Sequence, residues 1–297
     1  MSLALHHGLR GELKLNEPLA KHTSWRVGGI AQRFYQPADA KDLAMFLSQL
    51  PENEALMWLG LGSNLLVRDG GFSGTVIASA GTLQAIEVKG NKVTAEVGVY
   101  CSKLAKQTAK AGLAGAAFLA GIPGTLGGAL AMNAGAHGSE TWDFVEQLNT
   151  VDRAGVLRKR PKTDFNVSYR HVQAPEGEWF VSATLLFKPG DSQQEQALIR
   201  DLLKKRNASQ PTSQPCAGSV FRNPPGDYAG RLIEVSGLKG FRVGGASVSE
   251  KHANFIVSDA NASAKDIETL IHLVQQKVEM QHGVKLVPEV HIVGEHT

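Results

Sequence analysis

Apolar and polar positions change period several times along the chain, and each change predicts an element. After Pro37-Ala38-Asp39, the residues Leu43, Phe46, Leu47 and Leu50 recur at helical spacing, so a helix runs from a cap at Asp39 to a stop at Pro51. Short apolar runs then alternate with turns. Strands are predicted at 33–35, 57–59, 74–78, 83–88 and 92–97, with Lys89-Gly90-Asn91 as one of the turns. Ser102 opens a helix that reaches Lys110 and closes at Gly112. Further strands fall at 146–151, 156–158 and 179–187. A helix over 193–206 packs Leu198, Leu202 and Leu203 inward. The stretch 207–215, rich in Ser, Pro, Asn and Gln, marks a domain boundary. Beyond it come a strand at 255–257, a helix over 263–281 with Ile267, Leu270, Ile271, Val274 and Val278 on one face, and a strand at 285–293. The last third thus resembles a small α+β or βαβ domain.

One stretch fits none of these periods. No charged residue occurs between Lys110 and His137, and glycines fall at Gly121, Gly124, Gly127, Gly128, Gly135 and Gly138. Three readings compete. The run is long enough to span a membrane, although Pro123 and Asn133 oppose a lone span. Alternatively the glycines leave a backbone cradle, in which main-chain N–H groups approach an anion such as a pyrophosphate at the start of a short helix opened by Thr125 or Gly127. The third reading is tight packing of small residues. Gly60-Leu61-Gly62-Ser63-Asn64, between two apolar runs, presents a similar choice between a plain turn and a phosphate loop. It lacks the third glycine and the following helix of the Rossmann fingerprint.

Composition narrows the classes. A chain of 297 residues with 42% apolar content has room for two or three domains, and 32 glycines favour turns and backbone approach over a helical bundle. A net charge of +3 argues against a nucleic-acid partner held by broad electrostatics. Two cysteines, Cys101 and Cys216, form no framework, and ten histidines show no metal spacing, so no metal is expected. The first ten residues have no apolar core of signal-peptide length. With the cysteine usage, this predicts a cytoplasmic protein without a membrane partner, read as a monomer.

Three segments carry side chains suited to chemistry. Tyr169-Arg170 places a guanidinium beside an aromatic ring, which suits either a carboxylate or a surface ion pair. Ser219, in Cys216-Ala217-Gly218-Ser219-Val220-Phe221-Arg222-Asn223-Pro224, is a turn serine or a proton donor to a carbanion or enol. It is no hydrolase nucleophile, because the nucleophile-elbow pattern is absent. Glu289, in Val287-Pro288-Glu289-Val290, is an exposed strand carboxylate or an acid raised by burial. The loops at 237–240 and 244–246 line the same site or simply turn the chain.

Taken together, Gly62-Ser63-Asn64-Leu65, Gly121-Ile122-Pro123-Gly124-Thr125-Leu126-Gly127-Gly128, Met132-Asn133-Ala134-Gly135-Ala136, Tyr169-Arg170, Gly218 to Pro224, Lys251-His252-Ala253-Asn254-Phe255 and Pro288-Glu289-Val290 resemble one family in its own order. It is the flavin-dependent UDP-N-acetylenolpyruvoylglucosamine reductases of bacterial cell-wall synthesis, in the shorter subtype without the tyrosine loop. The resemblance implies an FAD-binding fold of the vanillyl-alcohol-oxidase type over residues 1–206, in two α+β subdomains of about 1–85 and 86–206, and a substrate domain over 207–297. It further implies bound FAD, with Gly60, Gly62, Ser63, Asn64, Leu65, Gly121, Ile122, Pro123, Gly124, Thr125, Gly127, Gly128, Asn133, Ala134, Gly135 and Ala136 around the cofactor, and NADPH as hydride donor. By the same resemblance Arg170 and Glu289 stabilise an enolate-like species, Ser219 delivers a proton, and Tyr169, Arg222, Asn223 and Lys251 hold the enolpyruvyl UDP-sugar. Arg222 stands where the family usually has lysine, and Ser168 where glycine is common. The alternatives are another FAD oxidoreductase of this fold, separated by its response to NADPH and substrate, and a nucleotide-sugar binding protein without turnover, separated by the absence of flavin.

Overall fold

The computed structural model describes residues 8–297. The opening residues on which the leader reading partly rests, 1–7, lie outside the described residues. The described chain gathers into two compact units: 8–14, 33–61 and 74–204 in one, and 15–32, 62–73 and 205–297 in the other. The units are therefore discontinuous in sequence, whereas the expected division at 206/207 is a single cut.

In the first unit, the helix α1, Ala40–Ser48, begins where expected: the Asp39 carboxylate accepts the N–H of Asp42 at 2.9 Å. Leu43, Phe46 and Leu47 are buried, and Phe46 stacks on Tyr35 with ring centroids 3.7 Å apart. Asp42 is itself buried and accepts the Arg10 N–H (2.7 Å), the Ala38 N–H (2.9 Å) and the Tyr35 hydroxyl (2.6 Å). Burial pushes this carboxyl up, but the donors outweigh it and hold it below the usual carboxylate range. A depressed native pKa contributes stability that is present above the unfolded value and disappears as pH falls through the native one. Asp42→Ala is expected to lower unfolding stability by about 2–4 kcal/mol at neutral pH, and by progressively less as pH falls below the ordinary carboxylate value of about 3.9, as measured by urea melts across pH.

A five-stranded antiparallel sheet forms the centre of this unit, in the spatial order Leu157–Pro161, Val145–Asp152, Glu178–Leu186, Lys92–Glu96, Ile86–Lys89. The predicted strand at 83–88 begins later, at Ile86, because Leu83 lies in a turn with a left-handed φ of 47°. The helix α2, Cys101–Lys110, starts one residue before the expected Ser102. Tyr100 occupies its cap position, and the first helical N–H, of Cys101, is taken by the Gly124 carbonyl at 2.9 Å.

The uncharged stretch breaks into a 3-10 turn at Ala117–Gly121, a six-residue helix α3, Leu126–Ala131, and a two-residue strand at Gly135–Ala136. Among the described residues no helix is long and apolar enough to cross a membrane, so the spanning reading of this stretch fails. In the helix α4, Ser192–Ser209, Ile199 and Leu202 are buried and Leu203 partly so, whereas Leu198 is exposed. The inward stripe is 199, 202, 203 and 206, and position 198 falls on its flank. The helix also continues three residues into the expected linker.

The second unit holds a three-stranded antiparallel sheet, Arg242–Val243, Ala246–Val248 and Ile256–Ser258, with Gly244-Gly245 as a tight turn between the first two strands. Two helices accompany it: α5, Ala229–Val235, and α6, Ala264–His282. The predicted apolar face of α6 is buried, a capping box joins Ser263 to Asp266, and Gly283 closes the helix at φ +67°. The Asp69 carboxylate adds acceptors for the N–H groups of Ala264 (2.9 Å) and Lys265 (3.0 Å). Of the predicted strand at 285–293 only His291–Val293 forms regular ladder pairs, parallel to Leu65–Val67. Pro288 brings no N–H and forms a single antiparallel bridge with Phe221.

Candidate active site

In the first unit the strand Leu56–Leu59 ends at Gly60, and the missing Cβ there matters. Built onto Gly60, a Cβ would lie 2.5 Å from the Thr125 hydroxyl oxygen. Thr125 precedes α3 and is 1% exposed, yet its Oγ1 finds no hydrogen-bond partner among the described residues, and neither does the buried Nε1 of Trp58. An unsatisfied buried hydroxyl costs about 1–3 kcal/mol, so its retention points to a ligand with acceptor oxygens. The N–H groups of Leu126 and Gly127 go to the carbonyls of Val99 (2.8 Å) and Val97 (2.9 Å). Gly127 is packed against Val97, but at Gly128 a Cβ would meet nothing within 4 Å. The stretch therefore combines two expectations, tight packing at Gly127 and open backbone at Gly128. A buried donor hydroxyl between bare glycines fits the pyrophosphate of a dinucleotide.

Asn133 follows, left-handed at φ +39° and 2% exposed. Its side chain is committed to the protein: Nδ2 donates to Glu140 (2.7 Å) and to the Ser168 carbonyl (3.3 Å), and Oδ1 accepts the Trp142 N–H (3.2 Å). Gly135–Ala136 then pairs with Ser139–Glu140 through a two-residue turn in which His137 and Gly138 both have positive φ.

Tyr169 and Arg170 form the two-residue tip of the hairpin Asn166–Ser168/His171–Gln173. Arg170 has φ +55°, a conformation that costs a non-glycine residue about 1–3 kcal/mol and that collects at functional sites. Its guanidinium offsets this by donating to the carbonyls of Asn133 and Gly135, each at 3.2 Å, and lies 5.0 Å from the centre of the Tyr169 ring. Asn133, Gly135 and Arg170 are thus one structure, which fixes the plane of a cation.

In the second unit Gly62 has φ +63° and no room for a Cβ, which would fall 2.2 Å from the His22 carbonyl oxygen. Asn64 is held by the C-terminal segment: its Nδ2 donates to the Glu289 carbonyl (3.2 Å) and its own carbonyl accepts the His291 N–H (3.1 Å). The Glu289 N–H donates to the Val220 carbonyl at 2.7 Å, and the Arg222 N–H to the Val287 carbonyl at 2.9 Å. Residues 220–222 and 287–289 therefore run side by side through their backbones, and Ser219 directly precedes the paired segment. Buried Asn254 braces the same turn from its other side, with bonds to Val220 and Phe221. Nothing in the apolar pattern marks Asn254, although it lies inside the Lys251–Phe255 motif.

Arg222 carries a buried Nε without a hydrogen-bond partner among the described residues. Partial burial, followed by the charge of Arg222, pushes the His291 imidazole below its ordinary pKa. Two expected substrate residues are otherwise engaged. The Asn223 side-chain oxygen accepts the Ala229 N–H at the start of α5 (3.1 Å), and the Lys251 ammonium donates to the Asn207 carbonyl (2.5 Å). Burial also raises the Cys216 thiol.

Residues 31–159 match the FAD binding domain family, and residues 210–293 match the C-terminal domain family of UDP-N-acetylenolpyruvoylglucosamine reductase. UDP-N-acetylenolpyruvoylglucosamine reductase of Alkalilimnicola ehrlichii is 60% identical over 285 residues, covering 96% of each chain. The same enzyme of Nitrosococcus oceani is 59% identical over 288 residues and 97% of each chain. The crystal structure of UDP-N-acetylenolpyruvylglucosamine reductase from Thermus caldophilus superposes with a TM-score of 0.82 at 33% identity, over 96% of this chain and 99% of that one. The α+β class, with an FAD-binding domain followed by a distinct C-terminal domain, is borne out.

Proposed function

The chain belongs to the UDP-N-acetylenolpyruvoylglucosamine reductase family, and from that premise we propose how its residues carry out the reduction of the enolpyruvyl UDP-sugar to UDP-N-acetylmuramate. The observation that supports the reading is the backbone pairing of residues 220–222 with 287–289, which brings the segments carrying Ser219, Arg222 and Glu289 alongside one another. FAD, when bound, supplies at the enol-ether methylene carbon the hydride that it received from NADPH.

The second hydrogen is a proton. Hydride addition to the methylene carbon leaves negative charge on the neighbouring carbon and its carboxylate; a proton from the Ser219 hydroxyl completes the new C–H bond, and solvent reprotonates the serine. Arg170 and Glu289 lower the energy of the developing charge, and a preorganised donor in such a role is worth about 3 kcal/mol. The left-handed anchoring of Arg170 on two carbonyls provides that preorganisation. Arg222 takes an anionic oxygen of the sugar nucleotide, and its orphaned Nε supports this. Tyr169, the Asn223 Nδ2 group and the ammonium donors of Lys251 not directed at Asn207 complete the substrate contacts. Thr125 would hold the cofactor pyrophosphate beside Gly60, Gly121, Ile122, Pro123, Gly124, Gly127 and Gly128 of its own unit. The family resemblance implies cofactor contacts for residues 133–136 of that unit too, and for Gly62, Ser63, Asn64 and Leu65 of the other. The free thiols Cys101 and Cys216 accord with a reducing cytoplasm. We read the protein as a monomer there, which light scattering in solution checks.

Anaerobic stopped-flow tests the whole reading. Bleaching of the flavin by NADPH followed by recovery on adding the enolpyruvyl UDP-sugar is the expected result. Bleaching without recovery would leave a flavoprotein of another specificity, and a protein that takes up no flavin would leave a binding module.

A further inference from the structure

We infer that Asn254 is a positioning residue that acts through the 219–222 turn to hold the Ser219 hydroxyl in register for proton delivery. The inference rests on the proposed role of Ser219. Asn254 is 4% exposed, and its side chain grips a single residue at both ends: Oδ1 accepts the Phe221 N–H at 3.0 Å, while Nδ2 donates to the Phe221 carbonyl at 2.8 Å. Its own carbonyl accepts the Val220 N–H at 2.9 Å. Three hydrogen bonds from one residue therefore fix the three peptides that follow Ser219.

The opposite edge of the same segment is fixed by Glu289, whose N–H donates to the Val220 carbonyl at 2.7 Å, and by the Phe221–Pro288 bridge. On the other side, Gly218 has φ +70° and a Cβ there would meet nothing within 4 Å, while the chain before it is held by buried Ala217 and by the Cys216–Val257 bridge. The hydroxyl therefore sits between one open glycine and a C-terminal side fixed by the Asn254 clamp and the Glu289 N–H.

Asn254 is in turn oriented by its neighbours. Its N–H donates to Nδ1 of His252 at 3.2 Å, which requires that nitrogen to be unprotonated, and the ring packs edge-on against Phe255 with centroids 4.8 Å apart. The Ser249 hydroxyl accepts the N–H groups of Lys251 (3.2 Å) and His252 (3.4 Å), closing the loop. A side-chain amide is the group this geometry needs, because it presents one acceptor and one donor side by side to the two ends of a residue. Aspartate supplies only acceptors and leaves the Phe221 carbonyl facing a negative oxygen.

The experiment compares Asn254→Ala, Asn254→Asp and Ser219→Ala, alone and combined, in the flavin-loaded protein. In Asn254→Ala, flavin reduction by NADPH stays within about threefold of the parent, while reoxidation by the enolpyruvyl UDP-sugar slows by about 10–100-fold, the scale of an ångström of misplacement. Asn254→Asp, which conserves volume, shows the same split should the alanine variant fail to fold. In Ser219→Ala/Asn254→Ala the reoxidation rate equals that of Ser219→Ala alone, because a residue acting through the hydroxyl has nothing left to position. Amide hydrogen exchange at Val220 and Phe221 quickens in Asn254→Ala. Additive slowing in the double variant, equal slowing of both half-reactions, or unchanged exchange at Phe221 would overturn the inference while leaving the serine's role intact. Unimpaired reoxidation in Ser219→Ala would remove that role and the inference with it.

Discussion

Ser219→Ala is expected to bind flavin normally and to be reduced by NADPH at a rate within about threefold of the parent, while reoxidation by the enolpyruvyl UDP-sugar falls by about 10²–10⁴-fold. That range corresponds to about 3–5 kcal/mol of barrier, the usual contribution of a positioned general acid. The separation of effects follows from the serine's place. It lies in the unit that also carries Arg222 and Glu289, on a turn whose hydrogen bonds go to Asn254 and Glu289, whereas the unsatisfied hydroxyl of Thr125 and the open glycine at Gly128 belong to the other unit. Reduction by NADPH moves a hydride and does not call on the serine proton. Rapid-mixing traces at the flavin absorbance read both halves separately, and an equal loss in both would place Ser219 in cofactor binding. Ser219→Cys, which keeps an acidic hydrogen, should recover part of the second half-reaction.

How much of this was legible in the sequence depends on whether a feature is local. The α1 cap at Asp39 and the α6 stripe from Ile267 to Val278 follow from spacing alone, and both appear as expected. Elements whose limits are set by partners distant in sequence were less legible. The start of α2 depends on the Gly124 carbonyl, and the strand expected at 285–293 shrinks because Pro288 meets Phe221 instead of a ladder. The phase of α4 depends on which flank meets the core, so Leu198 and Ile199 exchange roles.

The site divides in the same way. Residue types and motifs single out Ser219, Arg170 and Glu289, but no spacing shows that Arg170 would sit at positive φ on two carbonyls of the 133–135 turn. Nor does it show that the Asn133 and Asn223 side chains would be engaged in building loops and capping α5. Asparagine is informative only once its partners are known, because the same amide serves a ligand, a turn or a cap.

Gly128→Ala should separate folding from cofactor binding by moving them in opposite directions. Gly128 lies in the first turn of α3, and a Cβ there meets no protein atom within 4 Å. Alanine is the better helix former, so the flavin-stripped variant should be more stable than the parent by about 0.5–1 kcal/mol. If the open backbone at Gly128 receives the pyrophosphate, the added methyl occupies that approach, and FAD affinity should fall by about 10–100-fold, or about 1.4–2.7 kcal/mol. Because a ligand stabilises the native state in proportion to the logarithm of its concentration over Kd, the order of melting temperatures should then reverse at saturating FAD for the parent. Gly60→Ala is the contrasting case: its Cβ falls 2.5 Å from the Thr125 hydroxyl oxygen, so it should weaken FAD binding and also destabilise the stripped protein. Melting curves with and without FAD, beside a reconstitution titration, measure all four quantities. Unchanged FAD affinity in Gly128→Ala would mean that the glycine serves only packing, and the pyrophosphate would then have to be sought elsewhere around Thr125.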